Sequence, residues 1–243
     1  MSALLPPPLA TRVPGPELMD DVAGTGGAEL AQTLRELRRI NRLLGGHATS
    51  LRALDALLAR AAPRTALEIL DVGGGSGDFA PAALAWGRRR GIDVRVTVVD
   101  LHPETVAAAR AACAGLPGVR VEQGDLFALE PRRADVVHAA LFLHHFDGDA
   151  AARALAAMAR AARVGIVVND LHRHPVPWFL IRVLTLAFSR NRLIRADAPH
   201  SVARAFVADD WRRLATATRL DLRFRRAWAW RWAVHALLPE VGP

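Results

Sequence analysis

The chain has 243 residues with 51% apolar content, enough to bury a sizeable core as one large domain or one domain with an appendage. No run of about 18 apolar residues is present, which excludes a membrane-spanning helix, and the start MSALLPPPLATRVPGP lacks the basic-then-apolar order of a secretory signal. The lone Cys113 excludes an internal disulfide and any CxxC zinc or redox pair, so a cytoplasmic location is expected.

The formal net charge is +8, and every basic residue is Arg; there is no Lys and no Tyr. Residues with A/T-rich codons are depleted together, so part of the basicity follows from a GC-rich coding sequence. Position says more. Residues 1–170 carry 19 Arg against 19 acids, whereas residues 171–243 carry 13 Arg against five acids. A charge confined to one end suits a nucleic acid, an anionic membrane surface or an acidic ligand, and equally a solvated surface.

In chain order, residues 1–16 contain three consecutive prolines and read as a flexible arm. Residues 28–44 place Leu30, Leu34, Leu37 and Leu44 near one helical face, with Gly45-Gly46 as the stop. A second helix is expected over 49–61, ended by Pro63. From residue 66 short apolar runs at 66–73, 93–100, 119–125, 134–141 and 165–170 alternate with helical stretches at 78–90, 103–114 and 149–163. That alternation makes right-handed βαβ units and a parallel sheet, whose ligands bind at the carboxyl ends of the strands.

After residue 170 the alternation stops. Residues 176–188 (VPWFLIRVLTLAF) read as an apolar helix, 201–218 as an amphipathic helix, and 219–238 as a hairpin bending near Ala227–Trp230, because its apolar side chains recur every second position.

The chemistry concentrates in Ile69-Leu70-Asp71-Val72-Gly73-Gly74-Gly75-Ser76-Gly77. A buried strand ends in a glycine-rich turn that opens a helix, so backbone can approach a ligand where a β-carbon would clash. Gly73, Gly75 and Gly77 give GxGxG; the GxGxxG of a dinucleotide fingerprint would need glycine where Asp78 stands, which disfavours a dehydrogenase. Asp100 ends the second strand, where a carboxylate can accept both hydroxyls of a ribose, and Asp125 follows the third.

These residues resemble the class I S-adenosylmethionine-dependent methyltransferases, whose first motif the glycine turn matches. With Leu143-His144-His145-Phe146 after the fourth strand, the chain is similar to the small-molecule, quinone-biosynthesis members, well over residues 66–170 and loosely at the flanks. The resemblance implies an α/β, Rossmann-like class I methyltransferase fold. Its sheet has seven strands, mostly parallel, with helices on both faces. The expected parts are the arm 1–16, an N-terminal helical cap 17–62, and a domain 63–243 with a helical insertion 175–200 after the fifth strand. The cofactor implied is S-adenosylmethionine, leaving S-adenosylhomocysteine. Asp71, Gly73, Gly75 and Gly77 would admit its methionine portion, Asp100 and Leu101 its ribose, and Asp125, Leu126 and Ala140 its adenine side.

Methyl transfer from a sulfonium needs alignment and exclusion of water, and O-transfer to a phenol benefits from a base. His145 and His144 are the expected catalytic residues, with Asp170 and His172 at the end of the fifth strand as substrate contacts. Asn41 in the cap and Arg204 in SVARAF are further substrate-binding candidates. No carboxylate cluster stands at ligand spacing, so no metal is expected.

The leading expectation is methylation of a small aromatic, phenolic or polyketide-like metabolite, on oxygen first and carbon second. A lipophilic acceptor or a peripheral membrane surface could meet 176–188, and the chain is expected as a monomer or homodimer. A nucleic-acid methyltransferase using the Arg-rich end is disfavoured: no (N/D)PP(Y/F) follows the fourth strand and no Pro-Cys exists. An inactive binding protein of the same fold is the remaining alternative, against which the intact glycines and both acids count.

Overall fold

The computed structural model describes residues 7–20 and 27–239. A 3-10 turn at Leu18–Asp20 precedes helices α1 (Gly27–Leu43) and α2 (Gly46–Leu58). The alternating part follows as β1 (Ala66–Val72), α3 (Phe79–Arg90), β2 (Asp93–Asp100), α4 (Pro103–Cys113) and β3 (Val119–Gln123), then β4 (Ala134–Ala140), α5 (Asp149–Ala161) and β5 (Ala162–Leu171). The remainder is α6 (Pro175–Phe188), α7 (Arg192–Arg204), α8 (Ala208–Thr218), β6 (Arg223–Ala227) and β7 (Arg231–Leu237).

The seven strands lie in the order β3-β2-β1-β4-β5-β7-β6. The first five are parallel, and β7 runs antiparallel to β5 and to β6. The order reverses between β1 and β4, so the loops leaving these neighbours turn to opposite sides and open a crevice between them. The interior strands are apolar on both faces because both are covered. On one face Leu155 and Met158 of α5 and Trp211 of α8 close over the sheet; on the other, Leu54 and Leu57 of α2 pack with Trp86 of α3. Gly165 lets α2 lie flush on β5: a β-carbon there would stand 2.7 Å from Leu57 and 2.4 Å from the Ala236 carbonyl. That face is the floor on which the cap rests.

Two expectations change. Residues 7–16 of the arm are docked along α7: Val13 N–H donates to the Ala203 carbonyl at 3.2 Å, and Leu9 and Val13 pack beside Trp178 and Val202. Arg12 fixes the segment, donating to the carbonyls of Arg204 (2.6 Å) and His144 (2.9 Å) while its guanidinium stacks on Phe206. A guanidinium can satisfy several loose carbonyls at once, which the proline count could not reveal. Residues 1–6 and the Leu30 side chain lie outside what is described.

The expected helix over 201–218 is instead the end of α7 and the whole of α8, broken at Ala205–Val207. Phe206 is extended and bridges to His172, and Asp210 accepts from Val207 N–H at 2.8 Å to start α8. The insertion therefore runs to Arg204 rather than residue 200. No helix among the described residues is long and apolar enough to cross a membrane.

Candidate active site

The turn after β1 presents bare backbone to the crevice. Gly73 and Gly75 have φ of 60° and 54°, in the left-handed region that a side chain disfavours. A β-carbon on Gly73 would collide with the Phe142 ring at 2.2 Å, whereas one on Gly75 would meet nothing within 4 Å and would project into the crevice. Gly77 differs: it does not line the crevice, and its missing β-carbon makes room for Cys113, whose sulfur would stand 2.7 Å away.

Asp100, at the end of β2, accepts from Gly75 N–H at 3.1 Å and from His102 N–H at 3.2 Å. Burial holds its pKa above the ordinary carboxylate value, against the pull of those two bonds. Asp125 accepts from Phe127 N–H at 2.9 Å, which caps a short turn after β3. Each carboxylate keeps lone pairs for a ligand's donors. Leu101, Leu126 and Ala140 line the same space. A bare peptide edge, two acceptor carboxylates and apolar side chains between them are the donor and shape set that a sulfonium nucleoside requires.

Asp71 borders the same cavity, but its carboxylate is committed beneath the turn. It is 2% exposed, and its Oδ1 lies 2.7 Å from His138 Nδ1, whose Nε2 reaches Ser50 Oγ at 2.8 Å. Asn169 donates to the same hydroxyl at 3.1 Å and to the Gly46 carbonyl at 2.9 Å. This buried chain ties β1, β4 and β5 to the start of α2, and sequence reading missed it because its members are scattered over about 120 positions. Asp71 thus acts on the glycine turn through the frame beneath it.

Beyond β4 the chain turns through Leu143–His145, and here the N-terminal segment supplies residues that spacing could not associate. His144 is buried with Nδ1 2.6 Å from Asp170 and Nε2 3.4 Å from Glu17. Burial alone would lower its pKa, but the charges and hydrogen bonds of Asp170 and Glu17 outweigh it and hold it up to about 10. The same pairing keeps Glu17 and Asp170 ionised despite burial. The His145 ring stacks on His144 with centroids 4.5 Å apart; its Nδ1 lies 3.1 Å from Asp20 and its Nε2 4.0 Å from Glu17. Glu17 is held in place by Ser201 Oγ at 2.6 Å, and the turn carrying it by Asp197, which accepts from the N–H groups of Leu18 and Met19. Glu17, His144 and His145 also form the one His/Cys/Asp/Glu trio among the described residues with donor atoms all within 4.8 Å, a donor set able to hold a metal ion where the sequence led to none being expected, because the carboxylate comes from a distant segment.

All of this opens on one cavity of about 850 Å³. Gly73, Gly75, Asp100 and Asp125 line one end, Glu17, Asp20, His144 and His145 a side, and Leu34, Leu37, Pro177, Leu180, Ile181 and Leu184 an apolar wall. The cap is clamped to the glycine turn: Arg38 donates to Ser76, and Asp78 accepts from Asn41 at 3.2 Å and pairs with His47 at 2.8 Å.

Of the expected substrate contacts Asn41 lines the cavity, and Asp170, His172 and Arg204 do not. Asp170 is fully buried beneath His144, a support for the ring above it. Arg204, 1% exposed, donates to the carbonyls of His144 (3.0 Å) and His145 (2.7 Å) and so holds the turn. His172 packs edge-on against Trp232, and burial with the nearby Arg226 lowers its pKa to about 4.

The comparisons agree with this geometry. Residues 69–165 match the methyltransferase-domain family. No curated protein matches the sequence. Among solved structures, a SAM-dependent methyltransferase from Aquifex aeolicus superposes with a TM-score of 0.59 at 16% identity, over 86% of this chain and 98% of that one. Human N-acetylserotonin methyltransferase in complex with SAM gives 0.64 at 20% identity, over 93% and 60%. The citrinin polyketide synthase CMeT domain gives 0.57 at 15% identity, over 79% and 53%. Residues 69–165 are thus similar to a methyltransferase domain, and over 86% of its length the chain shares the fold of a SAM-dependent methyltransferase.

Proposed function

We propose that the enzyme methylates a hydroxyl group of a small, largely apolar metabolite, with His145 as the base. The observation that carries this reading is the single cavity in which the nucleoside-binding end, an imidazole set between two carboxylates and an apolar wall converge. S-adenosylmethionine supplies a methyl group on a positively charged sulfur, which a nucleophile displaces to leave a neutral thioether. The residues of the chain do the rest.

Asp20 accepts from His145 Nδ1–H, which sets the tautomer and leaves Nε2 free to take the acceptor's proton. Once that proton arrives, Asp20 and Glu17 flank the imidazolium and stabilise it. His144 is unsuited to the same task, because a group already protonated to about pH 10 has no lone pair to offer at neutrality. It serves as a fixed cation that keeps Glu17 charged and in place. The apolar wall excludes water, which would otherwise compete with the acceptor for the methyl group.

Support for oxygen comes from this base; structural neighbours that include both an O-methyltransferase family protein from Burkholderia thailandensis and the CurJ carbon methyltransferase fit either atom. The wall formed by α6 suits a lipophilic acceptor. The outer stripe of α6, with Val176 at 43%, Phe179 at 46% and Phe188 at 84% exposure, suits contact with a lipid surface. A radiolabelled methyl-transfer assay over phenols, quinols and keto acids tests the reading. His145→Ala should lower kcat on the best phenol by about 10²–10⁴, with cofactor affinity by calorimetry unchanged. An unchanged kcat at saturating acceptor removes His145 from the chemistry.

A further inference from the structure

Arg231 opens β7 and lines the cavity, yet is 2% exposed. A guanidinium keeps its charge wherever it lies, and leaving one buried without an anion is costly. Its neighbours do not supply one. Its single side-chain hydrogen bond goes to Asn169 Oδ1 at 3.4 Å, a long contact with a neutral amide, and its Nε has no partner. The acids whose charges act on it are Asp170 and Asp78. Both are committed elsewhere, Asp170 to His144 and two backbone N–H groups, Asp78 to His47 and Asn41. The other buried arginines of the interior are not alike in this: Arg173 pairs with Asp210 at 3.0 Å, and Arg204 reaches Asp147 at 3.3 Å.

The place of Arg231 in the sheet says which ligand would answer it. β7 is three strands from β1, and at about 4.8 Å per strand its backbone lies roughly 14 Å from the glycine turn, on the side away from Asp100 and Asp125. β4, which carries the turn with His145, stands between them. The anion missing from Arg231 therefore belongs to the acceptor's side of the cavity.

We propose that Arg231 is an anion subsite, and that the acceptor carries a carboxylate or similarly acidic oxyanion that pairs with it while its hydroxyl faces His145. The substrate class is then a hydroxylated acid with an apolar body. This rests on the methyl-transfer reading for the role of the hydroxyl, but the subsite itself is a matter of binding.

The test uses the full chain and a matched pair of probes, a hydroxybenzoate with an apolar substituent and its methyl ester. Binding is followed by fluorescence of Trp228 and Trp230, which line the same cavity, and transfer by label. Charge-assisted pairing predicts that Arg231→Gln weakens the carboxylate probe by about 10–100-fold, in both dissociation constant and KM, and leaves the ester within about twofold. Arg231→Lys should restore part of the loss. Calorimetry should give the same cofactor affinity for all three proteins. Equal loss for acid and ester makes Arg231 a structural residue and overturns the proposal. So does weakened cofactor binding with unchanged acceptor binding, which would give the guanidinium to the cofactor's own carboxylate. Selective binding of the acid with no transfer to any probe would instead sink the hydroxyl-transfer reading and leave the subsite standing.

Discussion

The His144 ring has a carboxylate on each nitrogen, whereas His145 next to it keeps Nε2 toward the cavity and 4.0 Å from its nearest acid. Adjacent residues of one type thereby take different duties, and the split comes from tertiary partners alone. His144→Gln should lower stability by about 3–5 kcal/mol, since it leaves Glu17 and Asp170 buried beside an uncharged group. Thermal unfolding checks this; a variant as stable as the parent but without turnover would give His144 the chemistry instead. The trio of Glu17, His144 and His145 sets a second test. If these residues handle protons, exhaustive chelation leaves turnover unchanged. Loss of activity that a divalent ion restores would assign the trio to a metal.

Helix α6 shows at the scale of an element what pattern alone can convey. Its apolar run was legible from 176–188, but periodicity could not say which residues face in: Pro177, Ile181 and Leu184 line the cavity, while Val176, Phe179 and Val183 form a stripe exposed to solvent. The exposed Arg190 follows its end, and the exposed Arg225 and Arg226 precede Trp228, which lines the cavity. Sedimentation with vesicles of mixed phosphatidylglycerol and phosphatidylcholine should carry the protein down at low salt and release it at high salt. Phe179→Ser with Phe188→Ser, neither lining the cavity, should weaken that binding about tenfold or more while turnover of a water-soluble phenol persists. Vesicle binding that ignores both changes would put the lipid contact elsewhere.

The alternating strands, the glycine turn and the two acids at strand ends were readable because they are local: each is a short run whose period or spacing has one geometric solution. Glu17 and Asp20 were not. They sit about 125 positions before His145 and reach it only because Arg12 and Asp197 hold the N-terminal segment against α7.

Over the whole molecule the buried charges set how stability responds to pH, and two histidines act in opposite directions. His144 has its pKa raised from 6.5 to about 10: burial opposes the charged ring, but Asp170 and Glu17 prevail. Its contribution is complete below about pH 6.5, where folded and unfolded chains are both protonated. It declines as pH rises and the unfolded ring alone loses its proton, and it is gone above about 10. His172 has its pKa lowered from 6.5 to about 4 by burial, then by Arg226, His174 and Arg173. Its neutral form is favoured in the fold, so its contribution is complete above about 6.5 and is lost as pH falls through about 4. Glu17, Asp20, Asp78, Asp170 and Asp210, all with pKa values lowered against burial by their partners, extend the acid loss further down, as pH falls below their ordinary values of 3.8–4.5. Melting temperature should therefore peak near pH 6.5 and fall on both sides. His172→Gln should flatten the limb between about 6.5 and 4, and His144→Gln, though less stable throughout, should flatten the limb between about 6.5 and 10. A parent whose melting temperature climbs steadily from pH 7 to 10 would show that the Asp170–His144–Glu17 chain is not ionised as its geometry requires, and with it the assignment of His145 as the base would lose its support.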